Sequence, residues 1–147
     1  MKVTVDTNIL ISGTLWSGDS DRILTLAEEN KIRLILSEEI IEEYKEVLEY
    51  EEIKEKIKIK KLQIKRSIEK IKSIADIVTP QRKVDIIKDD PDDNRILECA
   101  DTGKVSCIIT QDNHLLKIKE FEGIKICTPR EFLKEYNKQK DPTDEKT

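Results

Sequence analysis

Residues 2–8 read Lys-Val-Thr-Val-Asp-Thr-Asn, a short apolar run that ends in polar residues. We predict a strand over residues 2–6, and three similar runs follow at residues 33–36, 105–110 and 124–128. Near-continuous apolar runs are typical of strands buried on both faces, as in a parallel sheet. Helical patterns separate the runs, so we predict an α/β protein, a three-layer α/β/α sandwich with a central parallel sheet and right-handed crossovers.

The helices are predicted from apolar residues at helical spacing and from residues that favour helix starts. Ser37 is a candidate N-cap, Pro91 suits the first position of a helix, and Thr128 with Glu131 forms a capping-box pattern. The predicted helices cover residues 21–30, 37–48, 53–74, 90–100 and 128–136.

Length and hydropathy limit the class of protein. A chain of 147 residues suits one domain, predicted over residues 1–137, with a flexible tail over residues 138–147. No apolar run approaches the ~18 residues of a membrane span, and no signal-peptide pattern is present. We therefore expect a cytoplasmic protein that has no membrane partner.

Cysteine and histidine usage limits the metal chemistry. Cys99, Cys107 and Cys127 show no CxxC spacing and lie among aliphatic residues, so we predict small core residues. The chain has a single histidine, His114, which excludes a histidine-rich zinc site. Oxygen ligands are therefore expected for any metal.

Charge is distributed unevenly along the chain. The net charge is −4, yet residues 53–74 contain nine Lys or Arg residues against two Glu, so this segment carries +7 and the rest −11. The segment is predicted to form one long amphipathic helix. Such a basic surface indicates contact with RNA phosphates or an acidic partner, with Lys58, Lys61 and Lys65 as candidate contacts. A solvated helical face is the alternative.

Two acidic residues follow predicted strands directly. Asp6 follows the first strand, and Asp112 follows the run that ends at Thr110. In parallel α/β sheets, ligands bind beyond the carboxyl ends of the strands, and a charge buried there needs a partner or a metal. The alternative for each residue is an ordinary helix cap.

Two further acids are selected by helical phase. Asp93 lies three residues before Ile96, at the head of an apolar stripe, whereas Asp90 and Asp92 fit an N-cap and a dipole-complementing charge. Glu43 lies three residues after Ile40, at the edge of the apolar face of its helix.

Four inward-leaning carboxylates suit a hard divalent cation such as Mg²⁺ or Mn²⁺, because converging carboxylates repel one another without one. Phosphodiester hydrolysis is the chemistry that such a site favours. The sequence lacks both a glycine-rich phosphate loop and a GxSxG motif, which argues against nucleotide-cofactor and serine-triad enzymes.

Five blocks of sequence resemble a PIN domain, most closely the prokaryotic branch described as toxins of toxin–antitoxin systems. The resemblance extends from residue 1 to about residue 135. The blocks are VTVDTNILIS at 3–12, LSEEIIEEY at 36–44, DPDDNRIL at 90–97, IITQDNHLL at 108–116 and GIKICTPREFL at 123–133.

The resemblance implies a parallel sheet flanked by helices and a metal-dependent ribonuclease centre. By position, its catalytic and metal-binding acids are Asp6, Glu43, Asp93 and Asp112. Asn8 resembles a polar residue that orients the first Asp, and Thr110 a hydroxyl beside the site.

One position departs from the pattern. Many relatives place another acid two residues after the fourth one, where this chain has His114. If that acid supports a second metal, this site would hold one metal strongly and another weakly. The alternative for His114 is an exposed loop histidine.

The expected function is a metal-dependent endoribonuclease that hydrolyses RNA phosphodiester bonds as the toxin of a type II toxin–antitoxin system. Its expected partners are RNA, a small antitoxin that blocks the acidic cleft, and a second copy of the chain. A catalytically idle PIN-like module that binds RNA or protein is the alternative. A phosphatase or receiver-type domain would also need a lysine after a late strand, for which there is no clear candidate.

Overall fold

The computed structural model describes residues 1–139, which form a six-stranded sheet flanked by helices. The strands are β1 (Lys2–Val5), β2 (Arg33–Ser37), β3 (Ala75–Val78), β4 (Cys107–Ile109), β5 (Glu120–Phe121) and β6 (Ile124–Cys127). The helices are α1 (Thr7–Leu15), α2 (Asp19–Glu28), α3 (Glu38–Leu48), α4 (Glu51–Ile59), α5 (Ile64–Ile74), α6 (Asn94–Gly103), α7 (Asn113–Leu116) and α8 (Pro129–Gln139). A short 3₁₀ turn, Pro91–Asp93, precedes α6.

The sheet has the strand order β3-β2-β1-β4-β6-β5. Every pairing is parallel except that between β5 and β6, which forms an antiparallel edge. Helices flank this mostly parallel sheet, so the predicted three-layer α/β/α fold is confirmed. The chain runs from β1 outward through β2 to β3, and then returns to place β4 on the other side of β1. The space beyond the carboxyl ends of β1 and β4 is therefore a topological switch point, where α/β folds bind ligands.

The four predicted strands are all present, and two further strands were not predicted. The edge strand β3 pairs with β2 and exposes Asp76 and Ile77, so its pattern is not that of a strand buried on both faces. The strand β5 has only two residues, which is too short for a periodicity. Both lie at the edges of the sheet, away from the switch point.

The prediction of one long helix over residues 53–74 is wrong, because α4 and α5 are separate helices. At Lys61 the backbone is left-handed, with φ of 57°. The N–H of Leu62 donates to the carbonyl of Ile57 at 2.9 Å, and that of Lys61 to the carbonyl of Lys58 at 3.1 Å. These two bonds form a Schellman-type C-terminus, which ends α4 without glycine or proline.

The predicted caps at Ser37 and Thr128 are present, whereas Asp90 makes no side-chain cap bond and precedes the 3₁₀ turn, with α6 starting only at Asn94. The N–H of Ile40 donates to Ser37 Oγ at 3.3 Å. The capping box is reciprocal, since the N–H of Thr128 donates to Glu131 Oε1 at 2.9 Å and the N–H of Glu131 donates to Thr128 Oγ1 at 3.2 Å. The last helix continues past the predicted end at Tyr136 to Gln139. It thus includes the first two residues of the predicted tail, and residues 140–147 lie outside the described part of the chain.

The interior is mainly aliphatic and contains all three cysteines. Cys99, Cys107 and Cys127 are buried, as predicted, and Cys107 Sγ lies 2.8 Å from Cys127 Sγ between neighbouring strands. Among residues 1–139, no helix is long and apolar enough to cross a membrane.

The break between α4 and α5 predicts opposite effects of glycine at two adjacent positions. Lys61→Gly should raise the free energy of unfolding by about 0.5–1 kcal/mol, because glycine adopts positive φ without steric cost. Lys60→Gly should lower it by about 0.5–1 kcal/mol, because Lys60 has a φ of −81° and gains nothing from that freedom. Urea unfolding measures both, and equal destabilisation would instead indicate one continuous helix.

Candidate metal centre

The four acids selected from the sequence line one pocket at the switch point. Asp6 follows β1, Asp112 follows β4, Glu43 extends from α3, and Asp93 ends the turn before α6. The structure thus brings together side chains that are up to 106 residues apart in sequence. Their catalytic and metal-binding roles stay predictions.

Asp6 is held by two hydrogen bonds, one to each carboxylate oxygen. Oδ1 accepts from the backbone N–H of Ile9 at 3.1 Å, which caps α1. Oδ2 accepts a short hydrogen bond from the hydroxyl of Thr110. The helix-cap interpretation is therefore correct for Asp6, yet the cap also fixes the carboxylate in the pocket.

Thr110 connects Asp6 with Asp112. Its side chain is fully buried, and Oγ1 accepts from the backbone N–H of Asp112 at 2.9 Å while its proton goes to Asp6 Oδ2. Asp112 in turn caps α7, because its Oδ1 accepts from the N–H of His114 at 2.7 Å. One hydroxyl thus positions the acids that follow the two central strands.

Asn8 lies at the rim of the same pocket, next to Asp6. Its side chain is exposed and lines the opening. The groups that hold the Asp6 carboxylate are the backbone of Ile9 and the hydroxyl of Thr110. Of the two supporting residues implied by the resemblance, Thr110 is therefore the one that contacts the acid.

Asp93 is positioned by its neighbour Asn94, a residue that the sequence analysis missed. Asn94 is buried, and its Oδ1 accepts from the N–H groups of Ile86 and Ile87 at 3.0 and 2.9 Å. Its amide donates to the carbonyl oxygens of Ile87 and Pro91 at 2.9 and 3.0 Å. These four bonds secure the loop before α6. The sequence did contain a signal for Asn94, because its amide follows two acids directly and precedes the apolar stripe of the helix.

Glu43 reaches the pocket from α3 and is partly buried. A second missed residue, Arg95, lies at the pocket beside it. The Arg95 guanidinium contacts Glu39 at 3.2 Å and Asp92 at 3.6 Å, so it ties α3 to the turn before α6. These partly exposed ion pairs position the two elements more than they stabilise them.

Burial makes the pocket electrostatically unfavourable for several ionised carboxylates. Burial raises the pKa of Asp6 to about 6, against the opposing hydrogen bonds from Thr110 and Ile9, and the charges of Asp112 and Glu43 add to the rise. Burial also raises the pKa of Asp93 to about 7, and the charges of Asp112 and Asp90 add to it. A cation in the pocket would relieve this repulsion.

Two buried oxygens in the pocket have no hydrogen-bond partner within residues 1–139, namely Asp93 Oδ2 and Thr7 Oγ1. Buried polar atoms are nearly always paired, so two orphans in one acidic pocket indicate a bound group. Ligand atoms of Asp93, Asp112 and His114 also lie within 4.8 Å of one another. The residues present therefore fit a divalent cation, as the resemblance implies.

The side chain of His114 is 42% exposed, as the alternative interpretation expects, but the residue does not lie in a loop. It lies in α7, and its Nδ1 is 3.4 Å from Asp112 Oδ1 and 3.7 Å from Asp93 Oδ2. The expectation that oxygen atoms would hold any metal stays a prediction, and the structure places one imidazole nitrogen near two of these oxygens. The sequence signal was its place two residues after Asp112, where the resemblance to the family implies an acid.

The basic residues lie on a different surface. Lys58 is in α4, Lys61 is in the break and Lys65 is in α5, and all three are exposed. Within the described chain, the pocket is lined by other residues and no ion pair includes these lysines. Their role as RNA contacts stays a prediction.

Together, the doubly wound sheet and the acidic pocket at its switch point define a class of α/β/α domain suited to a divalent cation. A family model described as PIN domain matches residues 2–114, and the chain belongs to this family. PIN domains are generally metal-dependent nucleases. No curated protein matches the chain significantly.

The raised pKa of Asp93 predicts a pH-dependent stability of the metal-free protein. A carboxyl whose pKa is raised on folding, here from 3.8 to about 7, stabilises the fold at acid pH. This contribution is lost as the pH rises through about 7. Relative to Asp93→Asn, the wild type should therefore lose on the order of 2–4 kcal/mol of unfolding free energy between pH 4 and pH 8 in EDTA.

Denaturant unfolding at several pH values, with EDTA throughout, measures this difference. Asp92→Asn is the matched control, because the Asp92 side chain is 70% exposed and should give a curve parallel to the wild type. Parallel curves for Asp93→Asn and the wild type would contradict the burial of an uncompensated charge.

Proposed function

We propose that this chain is a metal-dependent endoribonuclease that hydrolyses RNA phosphodiester bonds with Mg²⁺ or Mn²⁺. The observation that carries the proposal is that four carboxylates line one pocket, in which a buried Asp93 oxygen has no hydrogen-bond partner among residues 1–139. Membership of a family of generally metal-dependent nucleases supports it.

The proposed roles follow from how firmly each acid is held. Asp6 and the backbone of Asp112 are fixed through Thr110, and Asp93 through the loop that Asn94 secures. Of the three carboxylates, those of Asp93 and Asp112 are within reach of one cation, and Asp6 lines the same pocket. Glu43 faces them from α3 and completes the acidic pocket. A divalent cation supplies the positive charge that makes water a better nucleophile and neutralises the leaving oxygen.

The second part of the proposal is a role as the toxin of a type II toxin–antitoxin pair. A pocket of four carboxylates would accept a Lys or Arg side chain from a small antitoxin, which would displace the cation and block the RNA. Expression of the chain alone should arrest growth, whereas Asp93→Asn should not. Co-expression of a short neighbouring reading frame should restore growth, and a chain that is harmless yet cleaves RNA in vitro would remove the toxin role.

Two variants in the Asp90–Asp93 segment distinguish a metal-binding acid from a charge that only stabilises a helix start. Asp93→Asn should abolish metal-dependent RNA cleavage while leaving the fold intact, because it removes a buried oxygen from the pocket. Asp92→Asn removes an exposed charge at a helix start, and should cost at most about 0.3–1 kcal/mol of stability with cleavage near wild type. Asp6→Asn and Asp112→Asn should behave like Asp93→Asn.

A mixed RNA pool incubated with millimolar Mg²⁺ or Mn²⁺ serves as substrate, and melting curves in EDTA verify folding. Full activity in Asp93→Asn would overturn the four-acid site. A wild type that binds the cation and RNA but never cleaves would instead identify the chain as a catalytically idle module that binds RNA or protein.

The basic surface of α4 and α5 supports a separate prediction about RNA binding. Replacing Lys58, Lys61 and Lys65 by Gln should reduce the slope of log RNA affinity against log salt concentration by about 2. Each phosphate contact on a single strand contributes about 0.7 to this slope. Cation binding should not change, because these residues do not line the pocket.

The matched control replaces three other lysines by Gln. They lie at the amino-terminal edge of the sheet, opposite the pocket, and are Lys2, Lys31 and Lys104. Fluorescence anisotropy of a labelled RNA, with the cleavage-deficient Asp93→Asn background, gives the slope at several salt concentrations. An equal slope in the basic-surface and control variants would assign α4 and α5 to protein binding or to structure alone.

A further inference from the structure

The imidazole of His114 is a further candidate donor, which lies beside two of the four acids but is not among the residues that line the pocket. Its Nδ1 lies 3.4 Å from Asp112 Oδ1 and 3.7 Å from Asp93 Oδ2. The three ligand atoms all fall within 4.8 Å of one another. Two metal–ligand bonds of about 2.0–2.6 Å each span that distance, so one cation could contact all three.

The backbone segments that carry the three donors are anchored by hydrogen bonds and by core packing. Asp112 accepts from the backbone N–H of His114, which fixes the start of α7. The next residue, Leu115, is fully buried and anchors α7 to the core. Asn94 secures the loop that carries Asp93. The imidazole therefore faces the two carboxylates on a rigid element, which is a requirement for a metal ligand.

The Asp93 oxygen nearest to the imidazole is also the orphan atom of the pocket. Asp93 Oδ2 is buried and has no hydrogen-bond partner within the described residues, because 3.7 Å is too long for a hydrogen bond from His114. A cation between the imidazole and the carboxylate would be a partner for both His114 Nδ1 and Asp93 Oδ2.

We infer that His114 Nδ1 is a ligand of the cation, together with Asp93 and Asp112, and that it makes the pocket prefer a first-row transition ion over Mg²⁺. Imidazole suits transition ions, whereas sites made only of carboxylates and water suit Mg²⁺. A neutral imidazole also adds no negative charge to the acids that already line the pocket, whereas a further acid at this position would add one. Both effects weaken Mg²⁺ relative to Mn²⁺ or Co²⁺. The inference rests on the cation site of the proposed function but not on RNA cleavage.

Calorimetric titration of the untagged protein with Mg²⁺, Mn²⁺ and Co²⁺ tests the preference. His114→Gln should bind Co²⁺ about 10-fold or more weakly than the wild type. Even residues that only hydrogen-bond to a metal ligand contribute about 10–100-fold to metal affinity. The Mg²⁺ affinity of His114→Gln should hardly change. His114→Asp, which restores an acid, should raise the ratio of Mg²⁺ to Co²⁺ affinity above that of the wild type. An unchanged ratio in both variants would overturn the inference.

A direct readout is possible because His114 is the only histidine of the chain. In nitrogen NMR of the wild type, Zn²⁺ should shift the Nδ1 signal of the single imidazole while Nε2 keeps its proton. Asp93→Asn should weaken this shift at a given Zn²⁺ concentration, and Asp92→Asn should not. An Nδ1 signal that stays at its metal-free position at saturating Zn²⁺ would contradict ligation.

The two proposals can fail separately. If the affinity ratio and the Nδ1 signal respond as expected but RNA is not cleaved with any of the ions, the ribonuclease proposal fails and the His114 ligand stands. If RNA is cleaved and neither readout depends on His114, the ligand assignment fails and the ribonuclease stands.

Discussion

The hydroxyl of Thr110 connects the two central strands to the acidic pocket. It donates to Asp6, which follows β1, and accepts from the backbone of Asp112, which follows β4. Because β1 and β4 pair in register, from Val3 with Cys107 to Val5 with Ile109, their carboxyl ends are adjacent. The hydroxyl links the Asp6 carboxylate to the backbone of Asp112 and so fixes both positions relative to each other. A buried hydrogen bond of this kind contributes about 1.5–3 kcal/mol when one partner is charged.

The burial of several acids in one pocket lowers the stability of the fold, which indicates that the pocket has a function other than stability. Burial raises the pKa of both Asp6 and Asp93, and the neighbouring carboxylates raise each further. A chain selected for stability alone would not place four acids around buried oxygens that lack partners in the described part of the chain. The supporting bonds from Thr110, Ile9 and Asn94 hold the acids in place against this repulsion, and a cation would convert it into attraction.

The parts of the site that sequence reasoning found are those that follow from periodicity. Asp6 and Asp112 follow apolar strands, and Asp93 and Glu43 were placed by helical phase, so local pattern was sufficient to bring all four to one pocket. His114 and Arg95 could not be placed in this way, because their roles depend on contacts between α7, α6 and α3. The break at Lys61 carried no glycine or proline signal, and its left-handed turn followed a lysine-rich run that favours helix. The edge strands β3 and β5 were too exposed or too short to show a strand pattern.

The four acids are proposed to bind a divalent cation, which would relieve their mutual repulsion. Thermal unfolding in EDTA and in millimolar Mg²⁺ or Mn²⁺ tests it most directly, with the wild type beside a variant that carries amides at Asp6, Glu43, Asp93 and Asp112. Binding to the folded state alone stabilises it by about 2.7 kcal/mol at 100-fold excess over Kd, so the wild-type Tm should rise clearly with metal. The amide variant should melt at the same temperature with and without it. An equal rise in both proteins, or no rise in the wild type, would contradict the account.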